Sequence, residues 1–226
     1  MYAEIIHPLN KPDIRNNENS LVVLIDVLRA SSTILSILSN GAKSIITVKT
    51  IKETIQYRNN QDFLIAGERN GIRVQGFDFG NSPLEFINNK KIVNKHIVLT
   101  TSNFSKAAAK FQQFKNIIIA SSLNYESVIN WILSNDYKRI LIIPAGKAGA
   151  PSLEDDYIAN YIKQSVLSEN IVKISEKDLL KSLIASNHGQ HLIKLGRMAD
   201  IKYISKISIL DIVPKRTKNE KIFEIA

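Results

Sequence analysis

Short runs of Ile, Val and Leu, separated by stretches of helical periodicity, constrain this chain more than any other feature. The runs are Tyr2–His7, Leu21–Asp26, Ser44–Val48, Phe63–Ala66, His96–Thr101, Asn116–Ala120 and Arg139–Pro144. They are mostly continuous rather than alternating, the pattern of strands covered on both faces. Helices are expected between them, at Ser31–Ser39, Ile51–Asn59, Ser105–Phe114, Tyr125–Ser134 and Leu153–Leu167. The alternation predicts an α/β fold: a layered, mostly parallel or mixed sheet with helices on both faces. After Ser168 the chain turns more helical, with segments at Glu176–Ser186 and His188–Leu195 before a last apolar run at Ile207–Val213. No Ser- or Pro-rich linker interrupts the 226 residues, so a single α/β domain over 1–226 is the simplest organisation. Residue 168 is the one place where it could subdivide.

Composition removes several function classes. The chain has no cysteine, which excludes disulfides, thiolate metal sites and a Cys nucleophile. No apolar run reaches the roughly 18 residues of a membrane-spanning helix. The opening MYAEIIHPLNKPD lacks a basic stretch followed by an apolar core. A soluble, cytoplasmic chain without a membrane partner is therefore expected. The formal charge of +9, from 30 Lys+Arg against 21 Asp+Glu, suits a chain that meets polyanions. The lysines are scattered, however, and the densest cluster, Lys215-Arg-Thr-Lys218, has no interleaved aromatics. That distribution reads as a solvated surface whose field attracts a small anion, and a nucleic-acid partner is not expected. A homo-oligomer is compatible with this composition. No GxSxG, Walker A or GxGxxG pattern occurs, so hydrolase-elbow, P-loop and dinucleotide readings have no support.

Ligands of open parallel sheets collect beyond the carboxyl ends of the strands, and polar residues concentrate there. The run Leu21–Ile25 leads into Asp26, then Arg29 and Ser31-Ser32-Thr33 at a helix start. A strand-end carboxylate is a good Mg²⁺ ligand, and hydroxyls with backbone N–H groups at a helix start accept phosphate oxygens. Asp26 or Ser31 as a helix cap explains one polar residue but leaves Arg29 unexplained. The next such segment, Ala66 to Glu85, holds four of the nine glycines together with Glu68, Arg69, Arg73, Asn81 and Ser82 before Pro83. Arginine is the residue for forked contacts to phosphate or sulfonate. Thr100-Thr101-Ser102-Asn103 forms a hydroxyl-rich turn into a helix, a phosphate seat or a simple cap. Glu154-Asp155-Asp156 opens a helix after the Gly146 loop. Acids favour that helix end anyway, yet three in a row exceed capping, and one turned into the cleft would complete a metal site with Asp26. His188-Gly-Gln-His191 lacks the intervening Glu of a zincin and reads as a cap or core pair.

Taken together, four segments resemble the 2-phosphosulfolactate phosphatase family: Val22–Ile34; Gly67-Glu-Arg69 with Gly76-Phe-Asp-Phe-Gly80-Asn-Ser-Pro83; Thr100–Asn103; and Ala145-Gly146 leading to Glu154–Asp156. Ser186-Asn-His-Gly189, Gly196, Asp200 and Val213-Pro214 are also similar to that family's C-terminal part, so the likeness runs from about Leu21 to Pro214. The resemblance implies a Mg²⁺-dependent phosphoric monoester hydrolase that converts 2-phospho-3-sulfolactate to 3-sulfolactate and phosphate in coenzyme M biosynthesis. Position by position it implies Asp26, Arg29 and Glu68 as catalytic residues, and Asp26, Glu68, Glu154, Asp155 and Asp156 around the metal. Ser31, Arg69, Arg73, Asn81, Ser82, Thr100, Thr101 and Asn103 are implied for the small phosphate and sulfonate substrate. One departure stands out: the family's glycine after Thr-Thr-x-Asn is Phe104 here. Its bulk is expected to bear on which substrate is taken. The alternatives are a phosphatase of another small phospho-hydroxy acid, or a non-catalytic anion-binding protein that would show a steep salt dependence and no phosphate release.

Overall fold

The computed structural model describes residues 1–10, 19–147, 150–218 and 221–226. It is an α/β structure built on one mixed ten-stranded sheet. The strands are β1 (Tyr2–Ile5), β2 (Ser20–Ile25), β3 (Ser44–Thr47), β4 (Phe63–Arg69), β5 (Ile72–Arg73), β6 (His96–Thr100), β7 (Asn116–Ala120), β8 (Arg139–Pro144), β9 (Pro214–Arg216) and β10 (Ile222–Ile225). The helices between and after them are α1 (Ala30–Ser39), α2 (Ile51–Ile55), α3 (Phe104–Lys110), α4 (Tyr125–Leu133) and α5 (Leu153–Ser168), then α6 (Glu176–Ala185), α7 (Asn187–Lys194) and α8 (Met198–Ile204).

The strand order β1-β8-β2-β7-β9-β10-β3-β6-β4-β5 divides the sheet into two halves. One is the parallel quartet β1-β8-β2-β7, the other the parallel trio β3-β6-β4. The antiparallel pair β9–β10 joins them. Residues one apart on a strand face opposite sides, and the core follows that rule. Val22, Leu24, Ile117, Ile119, Leu141 and Ile143 turn inward and share one cluster with Ile45, Ala66, Ile97 and Leu99 of the other half. Leu21, Val23, Ile25, Ile118, Ile140 and Ile142 turn outward to Val128 and Ile129 of α4, Ile158 and Ile162 of α5, and Leu179, Leu192 and Ile201 of α6, α7 and α8. The chain after Ser168 thus packs on the same core as the parallel strands. The inward cluster also takes Ala30, Ile34 and Ile37 of α1 and Phe104 and Ala108 of α3.

Nine residues of α1, Ala30 through Leu38, are buried. Of the four hydroxyls in this stretch, Ser31 and Ser32 are satisfied locally, whereas Thr33 Oγ1 and Ser36 Oγ have no hydrogen-bond partner among the described residues. Ser32 Oγ donates to the Val27 carbonyl at 2.9 Å. At the end of β4, Gly67 sits at φ +155°, and a Cβ there would lie 2.3 Å from the Thr100 carbonyl oxygen. Only glycine lets β4 pass β6 so closely, which brings Glu68 and Arg69 beside the Thr100–Asn103 turn.

The main differences from the sequence expectation are short elements. α2 ends at Ile55 and not Asn59, and α3 runs over Phe104–Lys110. β5, β9, β10 and α8 have no local signature, and the basic Pro214–Arg216 stretch is strand because it pairs with β7 and β10. The apolar run Ile207–Val213 is an extended connection, tied to the Ser122–Leu123 turn through the Ser208 and Leu210 amides. No helix among the described residues is long and apolar enough to cross a membrane.

Candidate active site

The carboxyl ends of β2, β4 and β6 converge with the start of α7 around a cavity of about 470 Å³. Asp26, Arg29, Glu68, Arg69, Asn81, Thr101 and Asn103 all line it, as do Lys49, Asn70, Ser102, Lys106, Lys147, His188 and His191. Segments more than a hundred residues apart in sequence are thereby gathered into one concavity, the position at which open α/β sheets bind ligands.

Asp26 is the less compensated of the two carboxylates that line it. Its Oδ1 accepts from the Ala30 amide at 3.2 Å, while Oδ2 accepts no hydrogen bond among the described residues. Burial pushes its carboxyl up from the usual 3.8 to about 6, and Glu68 and Glu154 add to the rise, whereas His188 and the Ala30 amide oppose it. An ionised Asp26 is therefore a carboxylate in want of a cation.

Glu68 has the opposite character. Oε1 accepts from the Ser102 amide (2.8 Å), and Oε2 accepts from the Gly71 amide (2.7 Å) and Ser102 Oγ (3.2 Å). It organises the Asn70–Gly71 turn and the Ser102 turn into a common wall. Arg69 runs along that wall, donating to the Glu68 carbonyl (2.6 Å) and Thr100 Oγ1 (3.1 Å). Arg29 is 3% exposed and donates to Asp200 Oδ2 at 2.6 Å and to the Gly71 carbonyl at 3.0 Å. Asn81 Oδ1 is buried with no hydrogen-bond partner, although the residue lines the cavity. An orphan acceptor of that kind calls for a donor from a bound molecule.

The remaining sequence candidates lie around the cavity and do not line it. Ser31 Oγ accepts from the Asp26 amide (2.9 Å), fixing the turn that presents Asp26. Ser82 donates to Asp200 Oδ1 (2.6 Å), Thr100 serves Arg69, and Arg73 reaches the Asp78 carbonyl on the exposed side. The three acids of α5 part company. Glu154 is buried 3.6 Å from His188 Nδ1, and its charge is felt at Asp26. Asp155 accepts from the Val27 amide (2.7 Å) and the Gly146 amide (2.9 Å), tying the β2 and β8 loops together. Burial first, then Asp26 and Glu154, raise its carboxyl well above the usual value, against those two amides. Asp156 faces His7 at 3.7 Å, away from the cavity. The Ala148–Gly149 part of the Gly146 loop lies outside the described residues.

Two expectations are corrected. His188 and His191, expected as cap or core, line the cavity, and His191 Nε2 lies 2.9 Å from the Asn70 carbonyl. Ser186 is the actual cap of α7. Phe104, expected to crowd a ligand, is fully buried in the inward cluster and does not line the cavity. The cavity lysines Lys49, Lys106 and Lys147 carry no local signature; nothing separates them in sequence from the scattered surface lysines.

Arg29, Lys49, Arg69, Lys106 and Lys147 line the cavity against only Asp26 and Glu68. One uncommitted carboxylate facing an excess of cations, at the strand ends of an α/β sheet, defines a protein with a site for a small polyanion. The model of the 2-phosphosulpholactate phosphatase family matches residues 9–219. A relative from Carboxydothermus hydrogenoformans is 35% identical over 214 residues, covering 89% of this chain and 88% of its own length. One from Thermotoga petrophila is 37% identical, covering 85% and 87%, and one from Caldanaerobacter subterraneus is 34% identical, covering 95% of each. All three bear the name "Probable 2-phosphosulfolactate phosphatase". The chain belongs to the 2-phosphosulpholactate phosphatase family.

Proposed function

We propose that this chain is a phosphoric monoester hydrolase acting on 2-phosphosulfolactate, with Mg²⁺ at Asp26. The cavity's charge carries the reading. Among the described residues Lys49, Arg69, Lys106 and Lys147 have no carboxylate partner within 4.0 Å, as a phosphate ester bearing further acid groups requires. The name its relatives bear and the family match support the same substrate.

The donor set fits a Mg²⁺ ion. That ion is commonly held by one or two carboxylates, with substrate phosphate and water completing its shell. Asp26 Oδ2 is available for this role. Asp155 is engaged by two amides, Asp156 turns to His7, and Glu68 is saturated by three donors. The described residues hold no cluster of three His, Asp or Glu arranged as a metal cage, and an ion bound together with phosphate needs none. When bound, Mg²⁺ would neutralise phosphate charge and polarise oxygen.

The chain's own groups do the rest. Arg29 grips the transferring phosphoryl group, and the orphan Asn81 Oδ1 accepts from a protonated phosphate oxygen or a water molecule. The Arg69 and Lys106 side holds the substrate's other acids. Across the net reaction the ester P–O bond breaks, the leaving oxygen gains a proton, and one oxygen of water ends on phosphate. The product class, a sulfonated hydroxy acid, agrees with a role in coenzyme M biosynthesis.

Phosphate release measured against 2-phosphosulfolactate, phospholactate and phosphoglycerate, with Mg²⁺ and with chelator, tests the proposal. The expected result is Mg²⁺-dependent release, fastest with the sulfonate. Release that is unaffected by chelator removes the metal from the reading, and no release from any ester removes the phosphatase. Lys49→Ala and Lys106→Ala are expected to raise KM roughly 5- to 20-fold with little change in kcat, because they remove binding common to ground and transition states. Steady-state kinetics on each variant check this, and a fall confined to kcat contradicts it.

A further inference from the structure

α8 is remote in sequence from the strand-end loops, yet it supplies Asp200, whose carboxylate is buried beside them at 2% exposure. Both of its oxygens are engaged. Oδ2 accepts from Arg29 Nη1 and Oδ1 from Ser82 Oγ, each at 2.6 Å. Arg29 Nη2 donates to the Gly71 carbonyl, and Gly71 is itself anchored by Glu68 Oε2. Asp200 does not line the cavity, whereas Arg29 does.

A buried guanidinium has five donors in a rigid plane. Two points on that plane, Nη1 and Nη2, are pinned here from two directions. The plane can no longer turn, and among the described residues its other N–H groups have no acceptor. An arginine held this way meets a phosphate without losing side-chain freedom on binding. Asp200 gains nothing from the substrate directly, since its oxygens are already saturated.

We propose that Asp200, steadied by Ser82, is the positioning residue for Arg29, so that α8 forms part of the anion site although it touches no ligand. This rests on the phosphatase reading only for its consequence in catalysis; for anion binding it stands alone. The arrangement predicts that Asp200 acts on the ligand solely through Arg29, and therefore that the two residues behave as one unit.

The test is a double-mutant cycle read by calorimetric titration of the full chain with inorganic phosphate. Arg29→Ala is expected to weaken phosphate binding at least tenfold and Asp200→Asn roughly five- to tenfold. The Arg29→Ala/Asp200→Asn protein should bind no more weakly than Arg29→Ala alone. Unchanged binding in Asp200→Asn, or effects that multiply in the double variant, overturns the proposal. A merely structural Asp200 lowers the melting temperature and the fraction of protein that binds without changing the affinity of the folded fraction, so stoichiometry and a melting curve are recorded for each variant beside the affinity. Should Asp200→Asn fail to fold, Ser82→Ala replaces it: a severalfold loss of affinity with Arg29 present and none in the Arg29→Ala background supports the proposal, and any other pattern overturns it. Phosphate release by the unmodified chain is measured in parallel. Coupling without release leaves the positioning role standing and removes the phosphatase reading; release without coupling does the reverse.

Discussion

Asp26→Asn is expected to lower kcat for phosphate release by on the order of 10³-fold or more, and at the same time to make the protein without Mg²⁺ more stable at neutral pH. The two effects have one cause. Asp26 is a carboxylate buried among carboxylates, and burial lifts its pKa from 3.8 to about 6. A folded-state pKa above the unfolded one means that the folded protein holds more protons between those values. The contribution of Asp26 to stability is thus greatest below about pH 4, falls as pH rises through about 6, and stays low beyond. At 1.36 kcal/mol per unit the strain reaches about 3 kcal/mol. Asparagine keeps the acceptor for the Ala30 amide and carries no charge, so it removes that strain. For a chain of this size the gain corresponds to roughly 5–10 °C in Tm. Melting curves in chelator from pH 4.5 to 8 should slope downward for the native sequence and flatten in large part for the variant. The residual slope has the same sign and comes from Asp155, whose carboxyl is raised as well. Added Mg²⁺ should raise Tm of the native sequence most above pH 6 and leave Asp26→Asn unmoved. Full turnover in the variant, or a flat native profile, would remove Asp26 from the centre of the site.

Asp155→Ala is expected to give the largest loss of stability, about 4 kcal/mol. The buried carboxylate satisfies the Val27 and Gly146 amides, and these belong to loops that follow β2 and β8. Removing it orphans two buried donors, each costing roughly 1–3 kcal/mol, and opens a small void. Asp155→Asn retains one acceptor and should cost about half as much. Urea denaturation followed by circular dichroism measures both; a loss below about 1 kcal/mol for the alanine variant would show that water replaces the carboxylate. Neighbouring Asp156, set against His7 and away from the cavity, should tolerate Asn far better. Three adjacent acids thus separate into three roles, which their spacing alone cannot reveal.

The seven apolar runs became strands close to their expected limits, and all but the edge strand β1, where Tyr2 is 57% exposed, are largely buried by the helices the chain also encodes. β9, β10 and β5 were not legible. Pro214-Lys-Arg216 has the composition of a solvated segment and is a strand only because β7 and β10 offer it partners. At the site, Asp26, Arg29, Glu68 and Arg69 could be singled out because polar residues directly after buried strands are unusual. His188 and His191 were visible as a pair, but their use depends on α7 lying beside the Asn70–Gly71 turn. Asp200 was legible only as part of the family likeness, without a role; its partners Arg29 and Ser82 are 171 and 118 residues away.

The amino-acid order by itself determined the α/β class, the strand ends at which a site would form, and the family likeness carried by their polar motifs. These are short-range properties, set by periodicity of two and near four and by residues adjacent in the chain. Only the tertiary structure decided which polar atoms face the cavity and which are consumed in holding it. Ser31, Ser82, Thr100 and Asp155 look like ligand groups in sequence and turn out to be bonded to amides or side chains of the frame. The reason is that a polar atom's partner is fixed by where distant segments pack, and a buried donor or acceptor takes whichever partner the fold brings within reach.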